Sequence, residues 1–457
     1  MARMQDERLG TESIPKLIVS LAIPSVFAQL INVLYNIVDR MYIGHIPNVG
    51  AKALTGLGVC FPILMLISAF TAFVGMGGAP LASIELGKGD RARAERILGN
   101  GTTVLLCFSV ILTTVFSLAK EPLLYMFGAS DETIVYSLQY LNIYLMGTVF
   151  VQLALGLNTF ISSQGFARTA MLSVLIGAVT NIILDPILIF GFDMGVRGAA
   201  TATIISQAFS AIWVVRFLTS EKTGLHIRLS NMKPDWKIVG SIAALGISPF
   251  IMQSTESLIT IVLNRGLQTY GGDLYVGSLT IMQSVMQLIV VPVQGLGQGT
   301  QPIISYNYGA GNDDRIRHTF KITFCLIFSV TIIACLLTVC MPTMFAKIFT
   351  SEPDLIALVG RVMPIYMAGI WMFGVQMSCQ STFMGLGQAK ISLFLALLRK
   401  VILLMPLALI LPKFFGVIGI YYSEPIADIT SASIAGILFL CNFNKILAKG
   451  KTKHHAA

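Results

Sequence analysis

Gln29, Asn32, Asn36 and Asp39 recur at spacings of three and four along an otherwise apolar stretch, QLINVLYNIVDRMYIG, from Gln29 to Gly44. At 100° per residue they fall within an arc of roughly 80°, one narrow polar stripe on a hydrophobic helix. A carboxylate at the centre of a bilayer costs ~2.5–3.5 kcal/mol on insertion scales, so one retained there marks a candidate functional site. A second such residue, Asp185, stands in Thr180-Asn181-Ile182-Ile183-Leu184-Asp185-Pro186. Neither has a cation beside it except Arg40, which points about 100° away around the helix. Two carboxylates that share a site of low dielectric cannot both ionise cheaply. Such a pair holds a proton, or binds Na⁺ with Tyr35, Asn181 and Thr203 as neutral oxygen donors. The competing reading is a hydrogen bond between helices plus a carboxylate at a span end.

Three more carboxylates lie in apolar surroundings. Glu256 stands in GISPFIMQSTESL, and Glu424 and Asp428 are one turn apart in SEPIAD, on one helix face. Polar packing between helices accounts for them as well as a second ion site does. Arg399 and Lys400 lie inside another apolar stretch and either neutralise these acids or snorkel toward water. Gln283, Gln287, Gln294, Gln298 and Gln301 also align, within an arc of about 60°. One glutamine in a span is an ordinary interhelical hydrogen bond. Five in register predict the wall of a water-filled cavity, with Gln29, Asn32 and Asn36 as further lining.

Enzymatic constellations are missing: there is no HExxH, no GxSxG and no glycine loop followed by Lys-Ser or Lys-Thr. No catalytic residue, resident metal or cofactor is expected. The seven cysteines form no CxxC and read as small hydrophobes.

The elements that position these residues follow from composition. Of 457 residues 55% are hydrophobic and only 12% charged, and mean hydropathy is +0.78. A soluble domain carries about 25% charged residues, so half the usual charge is absent. Twelve apolar stretches of spanning length follow one another, near 15–43, 53–85, 96–119, 133–161, 168–190, 196–219, 238–264, 275–307, 319–342, 355–385, 389–412 and 416–444. The chain reads as an all-α polytopic membrane protein. With the N-terminus inside, 21 of the 31 Lys and Arg fall on internal segments and eight on external ones. That bias predicts two cytoplasmic termini in the cytoplasmic (inner) membrane of a cell. It also accounts for the net charge of +9 without a nucleic-acid partner. A polar segment of mixed charge precedes the first span, so no cleavable signal is expected.

The chain also repeats itself. A shift of 222 residues superposes Gly75, Gly77, Pro80, Gly87 and Gly89 on Gly297, Gly299, Pro302, Gly309 and Gly311. Shifts of 225 and 221 align Pro24 with Pro249, and Gly195 and Gly198 with Gly416 and Gly419. Two homologous halves of six spans each are parallel repeats, related by a pseudo-two-fold along the membrane normal, with the substrate site expected between them. The expected division is residues 1–220 for the first lobe, 221–237 for a cytoplasmic linker, and 238–457 for the second lobe with its short basic tail. The acids are not repeated: Asp39 aligns with Asn264, while Glu256, Glu424 and Asp428 align with Ile31, Thr203 and Gln207. The glycine-rich stretches 75–80 and 295–302 lie inside spans and predict close helix packing or a kink.

These features together resemble the multidrug and toxic compound extrusion (MATE) family, in its bacterial MepA-like and DinF-like branches. The resemblance rests on Tyr35 to Gly44, on Asn181 to Pro186, on Leu86-Gly87-Lys88-Gly89-Asp90 and on Gly195-Val196-Arg197-Gly198-Ala199-Ala200, and it covers essentially the whole chain. It implies a secondary transporter exchanging cationic or amphipathic drugs for H⁺ or Na⁺, with V-shaped lobes that rock between outward-open and inward-open states. It implies a coupling site at Asp39 and Asp185, with Tyr35, Asn181 and Thr203 beside them and Pro24 as a hinge. Glu256 matches the acid of a second-lobe site used in another branch. The partner acid of that site is missing, because Gly369 to Val375 contains none. The expected partners are the bilayer and small cationic or amphipathic molecules, and the chain is expected to be a monomer. The alternatives are a lipid or lipid-linked oligosaccharide flippase, which predicts a basic cavity, and a channel or non-transporting receptor.

Overall fold

The computed structural model describes residues 2–454, and every regular element among them is helical. A short α1 (Ala2–Thr11) precedes α2 (Ile14–Gly44). The first half continues with α3 (Gly50–Gly87), α4 (Arg91–Met126), α5 (Ile134–Met146), α6 (Thr148–Ser163), α7 (Ala167–Pro186) and α8 (Val196–Leu218). The second half contains α9 (Trp236–Gly271), α10 (Asp273–Gly309), α11 (Asp313–Cys340), α12 (Pro342–Phe349), α13 (Pro353–Tyr366), α14 (Ile370–Gly385), α15 (Ala389–Leu397), α16 (Met405–Phe415) and α17 (Val417–His454). Among the described residues, 11 helical segments are long and apolar enough to cross a membrane. The pair α5 and α6, bent by 59°, makes a twelfth. Residue 1 and residues 455–457, at the ends of the two expected lobes, lie outside the described residues.

The repeat is visible in how the chain stops and turns. Gly89 and Gly311, Gly165 and Gly387, and Gly195 and Gly416 all have positive φ, and each pair is 221 or 222 residues apart. A left-handed residue ends a helix at little cost only when it lacks a Cβ, so the same glycines reverse the chain in both halves. After Gly89, the Oδ1 of Asp90 accepts from the backbone N–H of Arg93 at 2.9 Å and caps α4. Gly147, where α5 meets α6, and Gly369, which closes the 3₁₀ turn between α13 and α14, are also 222 apart.

By contact the described residues form two compact units, 2–12 with 27–253 and 13–26 with 254–454. Two continuous helices therefore change unit part-way: α2 just after Pro24, and α9 four residues after Pro249. Glycine is what lets the transferred ends seat. In the first unit a Cβ on Gly246 of α9 would collide with the carbonyl of Phe73, and one on Gly77 of α3 would lie 2.8 Å from the Cα of Gly246. In the second unit Gly299 of α10 lies against the backbone of Ala22 in the same way. The glycine-rich stretches are thus sites where two helix backbones touch.

The segment between the halves is bolted to the first unit by buried polar groups. Gln164, fully buried at the end of α6, accepts at its Oε1 from Thr223 Oγ1 and from the backbone N–H groups of Gly224 and Leu225, each at 2.9 Å. Asn100 Oδ1 accepts from the N–H of Asp235 at 2.7 Å, and Thr103 Oγ1 donates to the carbonyl of Met232 at 2.7 Å. Removing such an acceptor strands buried donors at about 1–3 kcal/mol each.

Two outcomes follow. Gly246→Ala should lower the thermal midpoint of the purified protein by an amount equivalent to at least ~1–3 kcal/mol of overpacking. Gly240→Ala on the same helix, where no atom lies within 4 Å of the added Cβ, should leave it unchanged or raise it; equal effects would contradict the seating. Gln164→Ala should loosen the segment that carries the exposed Lys222 and Arg228, read as earlier tryptic cleavage there into two halves, and unchanged digestion would contradict the clamp.

Candidate functional site

Asp39 lies near the end of α2 and Asp185 on α7, directly before Pro186 and the π-helical stretch Ile187–Gly191. Proline has no N–H to give the carbonyl four residues back, and the helix widens beyond it. Both acids belong to the first unit and both are buried, Asp39 at 8% and Asp185 at 0% exposure. Their carboxyl groups lie within hydrogen-bonding reach of each other. Asn181, one turn before Asp185, donates from its Nδ2 to Asp185 Oδ1 at 3.3 Å.

The accounting of donors then falls short. Asp39 Oδ1, Asp185 Oδ2, Asn181 Oδ1 and Gln207 Oε1 are buried and have no hydrogen-bond partner. Among the described residues no ion pair reaches either aspartate. Arg40 turns away, its guanidinium 5.4 Å from the ring centre of Phe61. Orphaned buried acceptors with no donor between them fit a shared proton or a bound cation; left bare, each costs about 1–3 kcal/mol.

Two aromatic hydroxyls from α5 lie close by, Tyr140 within electrostatic reach of Asp39 and Tyr144 of Tyr35. Tyr140 and Tyr144 stack with ring centres 6.0 Å apart, both buried, and Tyr140 is within hydrogen-bonding reach of Thr203. Thr203 also donates to its own helix, at the carbonyl of Ala199, 3.0 Å away. Tyr35 on α2 is within electrostatic reach of Asp39 and Asp185. The spacing of Tyr140 and Tyr144, one turn apart, was the available signal for a shared face, but a tyrosine pair in an apolar span looks like packing. Gln207 was legible only as the alignment partner of Asp428.

The other polar residues of the first span are less enclosed than Asp39. Gln29, Asn32 and Tyr35 are half-buried and Asn36 is exposed, its Nδ2 donating to the carbonyl of Asn32 at 2.6 Å. Pro24 is buried within α2. Gln283 and Gln298 are half-buried, and Gln287 and Gln294 are exposed, so this glutamine face of α10 is not sealed in the second unit's core.

The second unit gathers its acids differently. Arg399 and Lys400 do not snorkel: they are 8% and 7% exposed, in a π-helical stretch, Leu398–Leu404. Each finds a counter-ion inside the unit, and a paired cation has no need to reach for water. Arg399 Nη2 donates to Glu424 Oε1 at 2.9 Å and its Nε to Asp428 Oδ1 at 2.6 Å. Lys400 contacts the carboxylate of Glu256, which is exposed. Glu424, Asp428 and Glu256 thus carry fixed counter-ions, and Asp39 and Asp185 form no ion pair among the described residues.

Comparison with known proteins agrees with this architecture. The profile of the MatE family matches residues 24–187 and 249–410, one segment in each half, each beginning at or beside the paired prolines Pro24 and Pro249. The chain belongs to the MatE family. It is similar to the multidrug export protein MepA of Staphylococcus haemolyticus, 26% identical over 441 residues that cover 94% of this chain and 95% of that protein. A MepA of Staphylococcus aureus is 25% identical over 447 residues, covering 95% of this chain and 96% of the other. A MATE transporter solved in a bent conformation superposes with a TM-score of 0.90 at 23% identity, covering 99% of this chain and 100% of that one. A MOP superfamily transporter from Pyrococcus furiosus gives 0.89 at 23% identity, over 96% and 98%. The fold is therefore that of the family's twelve-span membrane proteins.

A stability measurement addresses the unpaired acids. Asp185→Asn keeps the shape of the side chain and removes one buried charge. At about pH 9 it should raise the thermal midpoint in detergent by roughly 2–4 °C. A lowered midpoint would mean that the protein itself already neutralises the group.

Proposed function

We propose that the protein is a secondary active transporter, not an enzyme, that exports organic cations and amphipathic drugs in exchange for H⁺ or Na⁺ by alternating access. The observation that carries this reading is the pair Asp39 and Asp185: enclosed, within reach of each other, and with no ion pair to either among the described residues. Multidrug export is the activity for which the similar MepA proteins are named, and membership of the family supports extending it to this chain.

Exchange needs no covalent chemistry. One proton, or one Na⁺, between the two carboxylates leaves the chamber far less charged than when it is empty. Asn181 holds Asp185 Oδ1 in place, so the other oxygen faces the pair. Tyr140 and Thr203 engage one another beside it. When the ion leaves, the bare carboxylates draw in a positive charge by an attraction of about 4 kcal/mol per pair at 4 Å and an effective dielectric of 20. Substrate and ion drive opposite conformational states only if each prefers a different one, since a ligand that binds both states equally shifts nothing. Pro24, just before α2 changes unit, is the hinge in this reading. The basic-residue bias supports two cytoplasmic termini in the cytoplasmic membrane. A flippase for anionic lipids would need free basic groups, whereas Arg399 and Lys400 are engaged with carboxylates.

Asp39→Asn should abolish coupled efflux from proteoliposomes while the purified protein stays folded and monodisperse. A pH gradient and a Na⁺ gradient, applied separately to the wild type, distinguish the two coupling ions. Transport by the variant at the wild-type rate would overturn the assignment.

A further inference from the structure

The helix α5 has a second polar face that the paired aspartates do not explain. Val135, Leu138, Gln139, Asn142 and Ile143 stand at i, i+3, i+4, i+7 and i+8, so they share one face. With Arg197 of α8 they line a groove of about 460 Å³ within the first unit. Tyr140 and Tyr144 lie roughly 150° away around α5, so the groove is on the side of the helix turned from the tyrosines. Val135 and Asn142 are exposed. An amide on the outer surface of an apolar span costs free energy unless it meets a polar partner.

The charge around this groove has one sign. Arg197, one residue into α8, is exposed, and its guanidinium makes no ion pair or hydrogen bond among the described residues. Lys120 brings a second cation to the edge, because its Nζ donates to Asn142 Oδ1. It immediately follows the third apolar stretch, 96–119, so both cations stand at a rim of the spans. Asp193 and Glu121, the acids nearest to them in sequence, pair with neither, and no carboxylate lines the groove.

We propose that this groove binds an anionic phospholipid. Its phosphate meets Arg197 and Lys120, the amides of Gln139 and Asn142 hydrogen-bond the ester region, and an acyl chain lies along Val135, Leu138 and Ile143. Guanidinium and ammonium groups both recognise phosphate, the former by a paired set of donors. A free anion would leave the apolar part of the groove unfilled. A second copy of the chain, joined through a two-fold contact here, would set Arg197 against its own like charge. The lipid would tie α5 to α8, the two helices whose Tyr140 and Thr203 lie within hydrogen-bonding reach of each other.

The test is native mass spectrometry of the purified full chain, delipidated in detergent and titrated with phosphatidylglycerol or phosphatidylcholine bearing the same chains. Wild type should take its first phosphatidylglycerol at least about tenfold more tightly than phosphatidylcholine, whose own cation meets the two basic groups. Arg197→Gln should abolish that preference, Lys120→Gln should weaken it, and Arg197→Lys, which keeps the charge, should retain most of it. Leu138→Trp, which fills the groove, should weaken the first phosphatidylglycerol at least about tenfold. Lys413→Gln, at an exposed position of the second unit, should change nothing. No preference in wild type, a preference that survives in Arg197→Gln, an affinity untouched by Leu138→Trp, or an equal loss in Lys413→Gln overturns the proposal. Displacement of the lipid by equimolar glycerol phosphate would make this a site for free anions. A dimer that Leu138→Trp dissociates would assign the groove to a second copy, and either result also overturns it.

Discussion

A carboxylate enclosed in a helix that crosses a hydrocarbon layer must hold a proton, face a cation or open to water. The two units meet that requirement in different ways. The second supplies its own cations, Arg399 and Lys400, from a π-helical widening of one helix, and sets them against Glu424, Asp428 and Glu256. The first pairs no cation with Asp39 or Asp185 among the described residues, Arg40 lying within electrostatic reach of Asp39 without an ion pair, and several of its buried oxygens are left without donors. The proposed function assigns an external ion to satisfy them.

The fold provides these two environments from one repeated plan. The same left-handed glycines end corresponding helices in each half, and a glycine marks the break in the fourth span and in the tenth. What differs is the placement of charge on that plan. Tyr144 and Tyr366 occupy equivalent positions 222 residues apart and both are buried, Tyr144 within reach of Tyr35 and Tyr366 within reach of Glu424 and Asp428. The acids beside Tyr366 come from the last span of its half, whereas those of the first half come from the first and fifth spans. The scaffold is repeated while the charges on it are not: Glu424, Asp428 and Glu256 are paired with Arg399 and Lys400, and Asp39 and Asp185 have no such pairing.

Much of this was legible in the residues alone. Asp39 and Asp185 stand out because a charged group in an apolar span has few inexpensive explanations, and the repeat stands out because glycines that reverse a chain are hard to replace. Tyr140, Tyr144 and Gln207 were not legible, since aromatic and amide residues in a span also serve ordinary packing. The pairing of Arg399 and Lys400 was open between neutralisation and snorkelling. Their partners are 25, 29 and 144 residues away in sequence, and only tertiary structure brings them together. Gln164 gave no sign of its role, because the three groups it holds lie in a segment that reads as an ordinary loop.

The central claim is that the chamber of Asp39 and Asp185 exchanges one external ion for positively charged cargo. The direct measurement is the number of ions released when purified wild-type protein is saturated with an organic cation in weakly buffered solution, followed by a pH electrode and, after loading with ²²Na⁺, by tracer counting. Linkage requires that ligands favouring opposite states expel one another. The account predicts release of about one H⁺ or one Na⁺ per molecule, lost in Asp39→Asn. Saturation with release of neither ion would contradict it.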